Sequence, residues 1–455
     1  MISPDFPSLL QKYDVPAPRY TSYPTVPYWD HSTLHGSSWT KQVAETFRKE
    51  QSEISLYMHL PFCESLCTFC ACNKRITKNH GVEEPYIQTL LKEWELYIKM
   101  FPDKPVIREI HLGGGTPTFF SPSNLWQLIH QVTSSAIIAT DHAFSFEAHP
   151  GNTTEQHLQA LSGAGFNRIS VGVQDFDPVV QQAINRIQSF ERTKEVIDKA
   201  RKLGYSSVNV DLVYGLPHQT TQSVANTMGK ILQLMPDRIA YYSYAHVPWK
   251  SKVQRRYTDA DLPAAAEKLA MYQLGKEMLV AAGYIAIGMD HFALPGDPLL
   301  VAAEQKTLNR NFMGYTTTNS KLIIGLGASA ISDGWGAFAQ NEKTIEAYEA
   351  MVQEGKLPIV NGHLLTDDDL VIRRYILDLM CRHEVLLNHP CSDPTWLPNV
   401  KERLQPLVED GLVVLDQEKI TVTDAGKSFV RNICAALDAR LHASQSGSNV
   451  FSKAI

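Results

Sequence analysis

Four of the seven cysteines crowd one short stretch, residues 57–76, as Cys63, Cys67, Cys70 and Cys72. The first three are spaced C-x-x-x-C-x-x-C. Thiolates bind soft metals, and closely spaced ones hold iron–sulfur clusters. A cube of four irons held by three cysteines leaves one iron open, and an open position suits catalysis better than scaffolding. Two plainer readings stand beside this one. Structural zinc usually shows two C-x-x-C pairs or histidines at short spacing, and no second pair is present. A ferredoxin-type electron-transfer cluster wants a fourth cysteine, which Cys72 is placed to supply.

Such a loop needs a frame. The apolar run 54–60 leads into it and Pro61 stops the run, so a strand is expected to spill its thiols into a loop. Further β-branched runs follow at 107–112, 143–148, 168–173, 208–213 and 239–244, separated by amphipathic stretches such as 84–100, 154–164 and 190–203. Strands alternating with helices predict a parallel sheet with right-handed crossovers. Six units exceed a nucleotide-binding half and fall short of a closed eight-fold barrel.

In sheets of this kind the chemistry sits where strands end. The second predicted strand runs into Gly113-Gly114-Gly115-Thr116, which is not a Walker loop because no Lys-Ser/Thr follows. A tight turn explains such glycines equally well. The third ends at Glu147, the fourth at Gln174 with Arg186 beyond it, the fifth near Asp211 and the sixth at Ala245. Singly, each polar residue is more often a structural hydrogen bonder. As a set on successive strand ends they would converge on one cavity.

The cysteine motif after a strand resembles the radical S-adenosylmethionine (SAM) superfamily, in which SAM chelates the open iron. The longer string HLPFC…C..C.CNK resembles the oxygen-independent coproporphyrinogen III oxidase family, as do PRYTSYP at 18–24, RNF.GYTT at 310–317 and G.G.SAIS at 325–332. This resemblance implies an α/β fold: a partial (β/α)6 TIM-like barrel with an N-terminal arm and a small, mostly helical, winged-helix-like C-terminal domain. It implies a [4Fe–4S] cluster on Cys63, Cys67 and Cys70 and two SAM molecules. The cofactor-binding positions it points to are Tyr57, Phe69, Gly114, Gly115, Thr116, Glu147, Gln174, Arg186, Asp211, Ala245 and Ile331. Tyr57 and Cys72 are its catalytic candidates. The implied reaction turns two propionates of coproporphyrinogen III into vinyl groups, giving protoporphyrinogen IX for haem synthesis. A 5′-deoxyadenosyl radical from SAM would drive it, and a reduced protein would donate electrons. The sequence departs from the family pattern at His149, where an acidic residue is common, and at Ala71, where glycine is common. A related haem-binding chaperone without oxidase activity shares most of these strings. It carries an aromatic residue where this chain has Cys72 and lacks the arm, so Cys72 and PRYTSYP favour the oxidase. The substrate would be a tetracarboxylate, for which Arg19, Arg75 and Lys74 are candidate partners.

Over the whole chain, 455 residues fit one large domain plus a smaller one. We divide them as an arm (1–50), a barrel (51–360) and a C-terminal unit (361–455). The arm is rich in proline and tyrosine and cannot be helical over 16–30. It reads either as an extended strap on the surface or as an arm near the site. In the last unit an acidic N-cap opens an amphipathic helix at 366, and 400–437 reads helix, hairpin, helix. Winged helices often bind DNA, but the charge here is mixed, so a lid or packing role is expected. A net charge of −6 argues against nucleic acid as a partner. No run is long enough to span a membrane and no signal segment opens the chain. Cys381, Cys391 and Cys434 are scattered, as buried thiols in a reducing compartment would be. A cytoplasmic monomer is expected, with a mobile tail over 442–455.

Overall fold

The structure, a computed structural model, describes residues 6–34, 36–249, 251–387, 396–443 and 451–453. Six parallel strands succeed one another in chain order: β1 (Glu53–Leu60), β2 (Val106–Gly114), β3 (Ile137–Ala148), β4 (Arg168–Gln174), β5 (Ser207–Tyr214) and β6 (Arg238–Ser243). Helices cross between them, among them Glu83–Ile98, Pro122–Ser134, Glu155–Gly163, Phe190–Lys202 and Thr221–Leu234. Each predicted strand is present.

The sheet nevertheless runs beyond the six expected. A hairpin, β7 (Ile285–Gly288) and β8 (His291–Ala293), extends it past β6, with β8 antiparallel to β6. On the other side β9 (Ile323–Leu326) pairs with β1 in parallel. An antiparallel series continues from it: β10 (Ile331–Asp333), β11 (Ala337–Asn341) and β12 (Ile359–Leu364). The result is a twelve-stranded sheet whose parallel part has seven strands. The run 323–326 is only four apolar residues and carries no alternation, so it gives little periodic signal of its own.

Apolar side chains between sheet and helices form the main core, with Leu56, Met58, Ile110, Phe144, Val171, Val210 and Ile239 buried on the strands. Each fully buried side chain of this size contributes roughly 1.5–3 kcal/mol. A second core joins three distant segments. Tyr20 and Tyr23 of the arm, Ile287 and Tyr315 belong to one buried cluster with Leu379, Leu404 and Ile433 of the C-terminal helices. Those helices are Asp367–Arg382, Leu397–Glu409 and Val430–Leu437, and Val413–Asp416 pairs with Lys419–Val422 as the expected hairpin.

Two sequence expectations change here. The arm is not a surface strap: Tyr20 and Tyr23 are each only 2% exposed. Its backbone is tied down by Arg431, which donates from Nε to the carbonyl of Pro18 and from Nη2 to that of Ala17. The tail is not wholly loose either. Phe451 meets the edge of Tyr28, and Lys453 bridges to Pro16. Cys391 and most of the tail (444–450 and 454–455) lie outside the described residues. Among the described residues no helix is long and apolar enough to cross a membrane.

Candidate active site

β1 ends at Leu60, and the cysteine loop leaves over the C-terminal edge of the sheet. Glycine chemistry fixes where it lies. Gly115 donates its N–H to the carbonyl of Leu60 at 2.9 Å, and a Cβ there would sit 2.6 Å from the carbonyl carbon of Pro61. Gly114 has φ +107° and abuts the His59 ring. Gly115 is therefore demanded by the close approach of two backbones, and Gly114 by its positive φ and the His59 ring packed against it. Gly113 and Gly114 close β2 rather than follow it.

The loop is anchored at several points. His59 Nε2 lies 2.9 Å from the carbonyl of Asn73, and His59 Nδ1 lies 3.0 Å from the Tyr57 hydroxyl. A carbonyl accepts only, so Nε2 carries the proton and Nδ1 accepts from Tyr57. Burial lowers the pKa of this ring, which keeps it neutral for that role. Opposite, Thr68 donates from its amide to Ile184 (3.0 Å) and from its hydroxyl to Ala183 (3.1 Å). Gln254 donates to the carbonyls of Phe69 (2.8 Å) and Ala245 (3.3 Å), and Lys74 donates to those of Cys70 (3.0 Å) and Cys72 (3.3 Å). Ala71 is not among the residues with positive φ, so no glycine is needed there.

The thiols differ in surroundings. Thr116 Oγ1 donates to Cys63 Sγ at 3.4 Å, and Arg186 Nη1 donates to Cys67 Sγ at 3.7 Å. Burial lifts Cys63 to about 11. Hydrogen bonding from Cys72 and then the charge of Lys74 lower Cys70, while Cys72 is raised.

Beneath the loop lies a cleft of about 860 Å³, partly open to solvent. Of the residues singled out from sequence, Cys63, Cys67, Phe69, Cys70, Cys72, Gly114, Gly115, Thr116, Glu147, Gln174, Arg186 and Asp211 line it. Tyr57 and Ile331 instead line an adjoining cavity that shares Cys72, Gly114 and Glu147 with the first. Ala245 lines neither; it lies two residues beyond β6, touching the loop through Gln254. Asp211 is not at a strand end but within β5, facing inward, where Ser170 Oγ (2.9 Å) and Asn209 Nδ2 (2.9 Å) donate to it. Burial, with the nearby charge of Glu147, raises it to about 6. Gln174 ends β4 with φ +68°, which turns the chain into the cleft wall. Arg186 Nη2 donates to the carbonyl of Gly172 (2.5 Å), and its buried Nε has no partner among the described residues. Glu147 is 46% exposed in its side chain, and the basic group beside it is His111 Nε2 at 3.5 Å, not an arginine.

Sequence reasoning missed His59, His111 and Ser170, which position Tyr57, Glu147 and Asp211. The strand alternation carries the signal. Tyr57 and His59 on β1, and His111 and Gly113 on β2, share the inner face. Of the basic candidates, Arg75 is spent on Glu346 (2.7 Å) at the surface, and Arg19 pairs with Asp290 (3.0 Å).

The model of the radical SAM superfamily matches residues 57–231. The chain is 40% identical to the oxygen-independent coproporphyrinogen III oxidase of Pseudomonas aeruginosa over 94% of its length and 95% of that protein's. It is 37% identical to the namesake of Bradyrhizobium diazoefficiens, covering 96% and 97%. A solved structure of coproporphyrinogen III oxidase (HemN) from Escherichia coli, described as a radical SAM enzyme, superposes with a TM-score of 0.88 at 36% identity, covering 96% and 99%. The chain belongs to the oxygen-independent coproporphyrinogen III oxidase family.

Membership of this radical SAM family implies a [4Fe–4S] cluster and SAM, and the residues fit both. Three thiols face one cleft, each already met by a donor: Thr116 on Cys63, Arg186 on Cys67 and Cys72 on Cys70. Among the described residues no three metal-ligating side chains close on a single point as one ion would require. A cube offers a separate iron to each thiolate, so facing a common space suffices. The unpartnered Arg186 Nε and the half-exposed Glu147 carboxylate leave polar capacity directed at a ligand such as SAM.

Proposed function

We propose that this chain carries out the oxygen-independent oxidative decarboxylation of coproporphyrinogen III to protoporphyrinogen IX. The observation that carries the reading is the convergence of three loop thiols with Glu147, Gln174, Arg186 and Asp211 on one cleft. Cys63, Cys67 and Cys70 would hold the cluster. Tyr57 would stand beside one SAM, which the Gly114-Gly115-Thr116 turn and Glu147 would help hold; Gln174, Arg186 and Asp211 would meet a second, with Phe69, Ala245 and Ile331 as further SAM contacts. When bound, cluster and SAM supply one electron and a 5′-deoxyadenosyl radical.

The chain's own groups then bind, orient and exclude. Glu147, held at distance by His111, offers its carboxylate to a ligand ammonium. Arg186 and Asp211 present opposite charges across the cleft, matching an amino acid's two ends. Tyr57, stacked on His111 with centroids 6.0 Å apart, forms an apolar wall with a fixed hydroxyl. Cys72 stands at the border of both cavities, beside any substrate carbon brought to the loop. Each propionate loses a β-hydrogen, then carbon dioxide and one electron, leaving a vinyl group.

The reading includes a reduced protein donor, a monomer and a cytoplasmic location. It includes the division into arm, barrel and C-terminal unit, and no role for nucleic acid or membrane. Buried free Cys381 and Cys434 suit a reducing compartment. Anaerobic reconstitution with iron and sulfide, followed by turnover with SAM and a strong reductant, tests the function. Vinyl product is expected. Haem binding without SAM cleavage or product would reassign the chain as a haem-binding chaperone.

A further inference from the structure

Arg310 is an unusual arginine. It is 92% buried, since its exposure is 8%, yet it has no carboxylate partner among the described residues. Its one hydrogen bond runs from Nη2 to the carbonyl of Arg19 at a long 3.4 Å. Its cation also lies over the Tyr315 ring, 4.6 Å from the centroid. Nε and Nη1 are buried without a partner, and so is Nδ1 of His291. Leaving such groups empty is costly, and buried guanidinium groups are normally forked onto a carboxylate.

Register places His291 on the inner wall of the barrel, and Tyr315, which Arg310 overlies, meets the His291 ring edge-on at 5.3 Å. Asp211 of β5 pairs with Ala240 of β6, and Ala240 pairs with His291 of β8. Paired residues share a face, so Asp211, His291 and Tyr242 (two residues beyond Ala240) all look inward. The Tyr242 hydroxyl reaches towards His291 Nε2 at 3.5 Å. Asp290, the acid next to His291 in the chain, is already engaged by Arg19 at 3.0 Å. Asp211, which lines the cleft, thus shares one wall with His291 and Tyr242, beside the unfilled donors Arg310 Nε and Nη1.

We propose that Arg310, with His291 and Tyr242, forms a carboxylate-binding subsite on the inner wall of the barrel. This rests on the oxidase reading, which brings two carboxylate sources to the cleft: a propionate of the tetrapyrrole and the α-carboxylate of SAM. A propionate fits the two free guanidinium nitrogens as a bidentate pair. Arg310 is a positioning and specificity residue here, not one that performs chemistry. Because its donors await a ligand, neutral replacement should not unfold the free protein.

The test compares wild type with Arg310→Met and Arg310→Lys. Anaerobic binding is measured for the oxidised substrate analogue coproporphyrin III, for its tetramethyl ester and for SAM. Losing a charge-assisted pair worth about 1.5–3 kcal/mol should weaken coproporphyrin III on the order of 10- to 100-fold in Arg310→Met. The ester and SAM should bind unchanged, and Arg310→Lys should recover part of the loss. A loss confined to SAM assigns the same subsite to the SAM carboxylate. Equal binding of both ligands by a folded Arg310→Met overturns the proposal, as does a fall of several degrees in its ligand-free Tm, which marks a structural arginine. If wild type itself binds no coproporphyrin III, it is the oxidase reading that fails.

Discussion

Cys63, Cys67, Cys70 and Cys72 share a loop but not a role. Replacing any of the first three by alanine should remove the iron–sulfur absorbance and most bound iron and sulfide after reconstitution. Cys72→Ala should keep both while losing vinyl product; if it strips the iron, four thiols hold the metal and the open-iron reading falls. Asp211 gives a pH signature. Its folded pKa of about 6 exceeds the ordinary 3.8. An acid raised by folding binds more protons in the native state, so its contribution is full below the ordinary value and is lost as pH climbs towards 6. Asp211→Asn should flatten the fall in Tm of the ligand-free protein between about pH 4 and 6. An unaltered slope would remove Asp211 as its source. The identities of these residues were legible in sequence. The predicted run 208–213 encloses Asp211, and Leu212, Val213 and Tyr214 carry β5 on past it, so its place within the strand rather than at the end was legible as well.

Among elements, the turn closing β2 is the most constrained part of the site. Gly115→Ala would drive a methyl group onto Pro61 backbone, which cannot rotate aside as a side chain can. A loss of about 1–3 kcal/mol is expected, with cluster content falling too because the displaced segment carries Cys63. Denaturant unfolding and iron analysis on one preparation check this. Normal stability and full iron would mean that the two backbones tolerate separation. All six expected strands were legible from β-branched runs bounded by turn residues. The remainder depended on partners far away in sequence. β9 becomes a strand because β1 offers it an edge, and the antiparallel series beyond follows from that pairing.

At the level of the whole molecule, the arm links barrel and C-terminal helices. Tyr20 donates to Asp438 at 3.1 Å across 418 residues, and Arg431 grips the carbonyls of Ala17 and Pro18. Proline content excluded a helix here, but no local pattern could reveal where an extended segment docks. Tyr20→Phe should cost about 1 kcal/mol and speed limited proteolysis within residues 14–34. Digestion at the wild-type rate would show that apolar packing alone secures the arm.

The donors on Cys63 and Cys67 have an electrochemical consequence. A hydrogen bond to a ligating sulfur favours the more negative, reduced form of a cluster and so raises its midpoint potential. Thr116 and Arg186 supply two such bonds from opposite walls of the cleft, 3.4 and 3.7 Å from their sulfurs. They would ease entry of the electron before any substrate arrives. In an anaerobic redox titration without SAM, Thr116→Val and Arg186→Met should each shift the midpoint to more negative values. The double variant should show roughly the sum, because the two donors serve different sulfurs.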